Sequence, residues 1–392
     1  MSDNLNKSIN LFTIAIYIVN TKVILAINMK KILPMIFLIM LIAVYTFSIA
    51  TPVKSVKYVV AVDLAHGEST KYLKYIQGNI TWVEWVNITT PITTDTLRNI
   101  DMLIIGQATQ PLTPDELNAL KTWVNSGSKV LWVAGDSDYG PGVTYQDIAN
   151  LILSSVGSVL RVDLCSVEDP VQNAKASYRV IGNVTPDSGA EAVAGGIKNG
   201  VLYHGPGILA YTLPNGTWAP LEKSRPDNVY RIVWTSPNGK IVENNPPAAK
   251  AHKAGDSGKF VLLAAEVMKI GNKQSVIIAS GESPYGDYEP TWAWVYYGIL
   301  LDGPRFVTNM INWSLALATT VVTTITQTTT VTSTFTTTVT NTVTSTSTTT
   351  ATTTVTSTAV STTTVESMTG WGVAGVFIVI AIVAIALLFR KR

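Results

Sequence analysis

Three short polar phrases in this chain each close an apolar run with an acid: Asp63-Leu64-Ala65-His66-Gly67-Glu68, Gly135-Asp136-Ser137-Asp138-Tyr139-Gly140 and Gly281-Glu282-Ser283-Pro284-Tyr285-Gly286. The last two share one pattern of Gly, acid, Ser, any residue, Tyr and Gly. If the phrases converge, Asp63, His66, Glu68, Asp136 and Glu282 make a carboxylate-rich pocket with one imidazole. That donor set suits a divalent metal with oxygen ligands or the hydroxyls of a sugar. Asp63, His66, Asp136 and Glu282 are then the candidate metal ligands, and Ser137, Asp138, Ser283 and Tyr285 complete the candidate ligand-binding set. Each phrase also has a structural reading, because Asp and Ser after a strand cap helices and Gly allows a tight exit. No other cofactor is called for. A serine nucleophile finds no support: the second glycine of "GDSDYG" is displaced from the G-x-S-x-G elbow, and no His follows Ser283.

Two further histidines are weaker candidates. His204, in "LYHGPG", lies at a turn that could reach the same edge, and His252, in the polar loop "AKAHKAG", reads as solvated. Trp292, Trp294, Tyr296 and Tyr297 follow the third phrase closely; such a cluster stacks on sugar rings or packs a core, and core packing is the slightly better reading.

The elements that must position these residues follow from hydrophobic patterning. "KYVVAVD", "DMLIIG" and "KVLWVAG" are continuous apolar runs of the kind buried in a parallel sheet, and "ITWVEWVN" alternates as an edge strand does. Between them, "LTPDELNALKTWVNSG" has Thr113 as N-cap, Pro114 at the first helical position, Glu116 closing a capping box and Gly127 as C-cap. Helices are also expected in "GESTKYLKYIQG", "YQDIANLILSSVG" and "RFVTNMINWSLAL". This alternation predicts an α/β fold with a doubly wound, mostly parallel sheet. Residues 161–258 break the rhythm with short alternating runs and "PNG", "SPNG" and "NNPP" turns, which read as a β-rich insertion. "KFVLLAAEV" and "QSVIIASG", joined at Gly271-Asn272, read as a hairpin that rejoins the sheet.

The ends are of a different kind. Residues 29–50 have two lysines, an apolar stretch and small residues at Ser48 and Ala50, the pattern of a signal peptide or N-terminal anchor, which makes 1–28 a mis-assigned extension. Residues 319–367 are almost entirely Thr, Ser and Val, a solvated and O-glycosylated stalk that could reach about 150 Å if fully extended. Within 368–392, Trp371 to Phe389 is an uncharged run long enough to span a bilayer, and Arg390, Lys391 and Arg392 place the C-terminus in the cytoplasm. The expected molecule is thus a single-pass cell-membrane protein, ectodomain outside, with its α/β core split between 51–160 and 259–318. Sequons at Asn79, Asn87, Asn183, Asn215 and Asn312 are candidate glycosylation sites. Seven of the 28 Lys and Arg residues flank the terminal apolar runs, leaving 21 against 24 acids in the ectodomain, so nucleic-acid binding is excluded. Cys165 is the single cysteine, which rules out an internal disulfide.

The run "DMLIIGQATQPLTPDELNALKTWVNSGSKVLWVAGD" resembles the class I glutamine amidotransferase-like superfamily, in its non-catalytic branch of gliding-motility, intraflagellar-transport and archaeal surface proteins. The resemblance spans Lys57 to Gly157 and Lys259 to Leu317, with "NMINWSL" as the closing helix, and implies an amidotransferase- or flavodoxin-like sheet. It implies no amidotransferase activity, because the catalytic members carry a nucleophilic Cys at the turn after the strand ending at Ala134, where this chain has Asp136 and Ser137. The functional expectation is a surface protein that binds a glycan, polymer or envelope protein without turnover. Two alternatives stand beside it: a metal-dependent surface hydrolase using the strand-end carboxylates and His66, and the ligand-capturing component of an uptake system.

Overall fold

The computed structural model describes residues 57–286, 290–339 and 345–363. The first half follows the expected alternation: β1 (Val59–Asp63), α1 (Leu73–Asn79), β2 (Glu84–Ile88), β3 (Met102–Gln107), α2 (Pro114–Val124), β4 (Val130–Ala134) and α3 (Thr144–Ser155). Next come β5 (Leu160–Glu168), β6 (Arg179–Val184), β7 (Val201–His204), β8 (Gly207–Thr212), β9 (Trp218–Pro220), β10 (Val229–Trp234), β11 (Gly239–Val242) and β12 (Ser257–Gly258). The hairpin β13 (Val261–Ile270) and β14 (Lys273–Ser280) precedes the short pair β15 (Val295–Tyr296) and β16 (Ile299–Leu300), and α4 (Gly303–Ala318) follows.

The protein is a mixed α/β structure around a nine-stranded sheet of order β2-β1-β3-β4-β14-β13-β10-β6-β7. From β2 to β14 every pairing is parallel. From β14 to β7 every pairing is antiparallel. A mostly parallel sheet is therefore only half right, and the reason is local: the turn at Gly271, with φ of 61°, reverses the chain between β13 and β14, and each strand added beyond β13 alternates in direction.

Side chains alternate across the sheet, so each face gathers its own core. Val60, Val62, Ile104, Trp132 and Ile278 pack with Leu73 and Ile76 of α1 and with Phe306, Val307, Met310 and Ile311 of α4. On the other face, Ala61, Leu103, Ile105, Leu131, Val133 and Ile277 meet Leu120 and Val124 of α2 and Ile148, Ile152 and Leu153 of α3. Spacing of three and four residues keeps each helix's apolar side chains on one stripe, and each one fully buried contributes about 1.5–3 kcal/mol.

The β-rich segment does not form one appendage. Its β6, β7 and β10 extend the main sheet, whereas β5, β8, β9, β11 and β12 form a second sheet of order β12-β11-β5-β8-β9. Val162, Leu209 and Tyr211 of that sheet share a core with Ala264, Ile277 and Ala279 of the first. The two sheets touch backbone to backbone where Gly207 N–H donates to Gly281 O at 3.1 Å. A Cβ on Gly281 would lie 1.9 Å from Gly207 O, and one on Gly207 would lie 2.5 Å from Asp136 O, so glycine is demanded by space at both positions.

The Thr/Ser-rich tract pairs with itself. β17 (Val321–Val339) and β18 (Ser345–Thr363) form an antiparallel ribbon in which Val321 faces Thr363 and Val339 faces Ser345. The tract therefore doubles back, and a ribbon of this length spans about 60 Å, well short of the extended reach. The expected signal segment and the span at Trp371–Phe389 lie outside the described residues. Among the described residues no helix is long and apolar enough to cross a membrane.

Gly281→Ala should separate the sheets at their tightest contact. A loss of about 2 kcal/mol or more in unfolding free energy is expected in chemical denaturation, against no loss for Gly78→Ala, whose surroundings are open and whose backbone is that of α1.

Candidate functional site

The chain leaves β1 toward β2 and returns on the other side as β3, which places a topological switch point at the carboxyl ends of these strands. Because β1, β3, β4 and β14 are parallel, their exits share one edge of the sheet. All three acidic phrases are such exits.

The repeated phrase is one turn built twice. Asp136 Oδ1 accepts the Ser137 N–H at 2.7 Å, and Glu282 Oε1 accepts the Ser283 N–H at 2.8 Å. Ser137 Oγ then accepts the Tyr139 N–H at 3.2 Å, and Ser283 Oγ accepts that of Tyr285 at 3.3 Å. Only the tyrosines part company. Tyr139 is 73% exposed, whereas Tyr285 is buried and its hydroxyl accepts the Gly106 N–H at 3.0 Å.

Both turns line one cavity of about 840 Å³. Gln107, Asp136, Ser137 and Glu282 come from the main-sheet exits, Tyr139 and Tyr145 from the approach to α3, and Glu168, Tyr178, Arg179, His204 and Asn244 from the β-rich segment. Tyr296 and Tyr297 complete the wall from the β15–β16 pair.

Acids set the chemistry of the floor. Burial pushes Asp136 up to about 7, with the neighbouring Asp138 charge adding to the rise, while Gln107 donates to Asp136 Oδ2. Burial also raises Glu282 well above the usual carboxylate range, and the Asp136 charge raises it further; the His204 N–H donates to Glu282 Oε2 at 3.1 Å. Near neutrality the pair thus retains at least one proton and presents both hydrogen-bond donors and acceptors. His204 is pushed down to about 4 by burial and then by Arg179, so its ring is neutral there. The Arg179 guanidinium lies 5.0 Å from the Tyr178 ring, 5.5 Å from Tyr296 and 4.2 Å from Tyr297, and donates to the Tyr297 hydroxyl at 3.2 Å.

The first exit forms a neighbouring buried cluster. His66 Nδ1 is 2.6 Å from Asp63 Oδ2 and His66 Nε2 is 3.2 Å from Glu116 Oε1, so both ring nitrogens are engaged. Glu116 forms the expected capping box with Thr113, and it also accepts the Ile92 N–H at 2.9 Å. The four candidate metal ligands are thereby divided: Asp63 and His66 hold one another, and Asp136 and Glu282 share the cavity floor. Glu68 is buried beside Asp63 with no hydrogen-bond partner for its carboxyl oxygens among the described residues, and burial followed by the Asp63 charge pushes it up to about 9.

Other expected site residues have structural duties. Asp138 is fully buried and binds Ser166 Oγ and Asn244 Nδ2, both at 2.8 Å, which pins the 244–245 loop. His252 is not solvated: Asp163 and Glu222 hold its two ring nitrogens at 2.8 and 3.1 Å, because the loop folds back onto β5 and closes over it. Cys165 is buried, and burial raises its thiol far above the reactive range. Asn79, Asn87, Asn215 and Asn312 are exposed, whereas Asn183 is partly buried and accepts a bond from Gln172 at 2.8 Å. Trp292 is core, as the packing reading has it, but Tyr296 and Tyr297 line the cavity. Arg179, Tyr178, Glu168 and Gln107 were invisible to motif reading. Arg179 stands at the start of an ordinary alternating run, and only the strand order brings it to this edge.

The buried acids dictate a pH response. Glu68, Asp136, Glu282, His66 and His252 all hold protons more tightly folded than unfolded; for both histidines burial opposes the shift and the flanking carboxylates outweigh it. Glu116, Asp163 and Asp187, held below the usual range, are ionised in both states above pH 7 and add no slope there. The folded state binds more protons, so stability should fall as pH rises from 7 to 9. Glu68→Gln should flatten that fall and raise the melting temperature at pH 8.5 by several degrees, as read by thermal denaturation across pH.

No protein-family model matches the chain, and no curated protein matches it. Among solved structures, the N-terminal domain of mmIFT52 is 13% identical, over 65% of this chain and 96% of that one, with a TM-score of 0.43. A GMP-synthase-type protein from Thermoplasma acidophilum is 12% identical, over 66% of this chain and 95% of that one, with a TM-score of 0.32. At these scores neither likeness adds to the fold argument, which rests on the strand order of the chain itself.

Proposed function

We propose that this protein is a surface-anchored receptor that holds a glycan in the cavity at the carboxyl ends of β4 and β14. The carrying observation is the composition of that cavity: five tyrosines around a floor of Asp136, Glu282, Gln107 and Asn244. Aromatic faces stack on the apolar faces of sugar rings, and carboxyl and amide groups pair with hydroxyls. The volume, about 840 Å³, accommodates two or three sugar rings. The anchoring part of the reading is supported by the uncharged run Trp371–Phe389 and the basic residues after it.

One observation favours a second reading. Two carboxyl groups at a cavity floor, at least one of them holding its proton near neutrality, are the kind of pair that acid-base hydrolysis of a glycosidic bond uses, one as acid and the other as ionised base or nucleophile. His66 supports a metal-dependent version least, since both of its ring nitrogens are engaged.

Oligosaccharide titration of the purified chain tests the receptor. Tyr139→Ala, which removes an exposed ring at the cavity wall, should weaken binding about tenfold, equivalent to about 1.4 kcal/mol, without changing the melting temperature. Absence of binding across a broad glycan panel would remove the proposal. Release of reducing ends from a bound oligosaccharide, abolished in Asp136→Asn, would establish the hydrolase instead.

A further inference from the structure

The cavity contains a cation that no carboxylate pairs with among the described residues. Arg179 leads into β6, and its guanidinium is held among the rings of Tyr178, Tyr296 and Tyr297, at 5.0, 5.5 and 4.2 Å. Its Nε is buried and makes no hydrogen bond. Among the described residues its one hydrogen bond to a side chain goes to the hydroxyl of Tyr297, and no carboxylate forms an ion pair with it. Arg231 is a contrast: it commits its guanidinium to Asp187, through Nε at 2.9 Å and through a second nitrogen at 2.9 Å. A partly buried guanidinium held by rings on several sides, with no carboxylate on it among the described residues, is a preorganised partner for an incoming oxyanion.

We propose that the cavity reads a carboxylated sugar of the uronic-acid class, with the ligand's carboxylate seated on Arg179 and its ring along the tyrosine-lined wall. This rests on the glycan reading of the same cavity and adds the charge of the ligand. The other titratable groups facing the cavity are Asp136, Glu282, Glu168, His204 and the wall tyrosines, with Asp138 behind Asp136. These acids select among anions. A carboxylate carries one charge and accepts hydrogen bonds from a protonated Asp136 or Glu282, whereas a phosphate carries nearly two and asks more of a floor built of acids. His204 is neutral and adds no second cation. Asp136 loses its proton near pH 7, so the floor turns against an anion as pH rises through that value.

The experiment is isothermal titration of the full chain with trigalacturonic acid and with the same trisaccharide after its carboxylates are reduced to hydroxymethyl groups. The acidic form should bind at least tenfold more tightly at pH 6, and its advantage should shrink at pH 8 while binding of the reduced form stays level. Arg179→Gln should abolish the preference without abolishing binding of the reduced form, and Arg179→Lys, which restores the charge without the fork, should recover part of it. Equal binding of the two sugars, or a preference that survives in Arg179→Gln, overturns the inference and leaves the glycan reading standing. Binding of neither sugar, nor of any other glycan, overturns both. Melting curves of the two variants establish that each is folded before its titration is read.

Discussion

Everything at the carboxyl edge depends on two backbones passing at glycine contact. Gly207 N–H donates to Gly281 O, and a Cβ on either residue would collide with main chain that packing holds in place. This contact lays the second sheet across the exits of the first. It puts His204 close enough for its N–H to reach Glu282, and it converts an open crevice at the ends of parallel strands into a walled cavity. A close approach of this sort is possible only where side chains are given up, which explains why two of the acidic phrases begin on glycine: a Cβ on Gly135 would press on Val162 and one on Gly281 on the Gly207 backbone.

The two acidic turns show how local chemistry and tertiary placement divide their work. Each acid and serine satisfies the backbone of its own turn, so the turn forms from its sequence wherever the chain puts it. Tertiary structure decides what the turn presents. Gly106 has no side chain to fill the space beside β3, and Tyr285 occupies it; Tyr139 meets no such vacancy and stands at the cavity wall. The two phrases are strand exits by their backbones and line one cavity by their side chains.

What was legible in the sequence follows the range of the interactions concerned. The Thr113–Glu116 capping box, the apolar runs of β1, β3 and β4 and the reversal at Gly271 are set by neighbours along the chain, and each stands where patterning placed it. The second bond of Glu116, to His66, is not local and left no mark beyond the cap. The same holds for His252, which has the flanks of a surface loop yet lies against Asp163 and Glu222. Arg179 is the clearest case, since residue type and spacing give no sign of which strand its segment will join. The acids that close β4 and β14 are visible in the sequence as strand exits, whereas the cation opposite them emerges only from the fold.

The ribbon formed by the Thr/Ser-rich tract has a mechanical meaning apart from its length. Val321 and Thr363 are partners at the same end, so tension applied between them loads the ladder one pairing at a time instead of shearing all of it at once. Unzipping of that kind yields at low force and gradually, releasing about 3.3 Å of chain for each residue freed. Under tension between its two ends the ribbon would thus lengthen before load passed to the packed sheets.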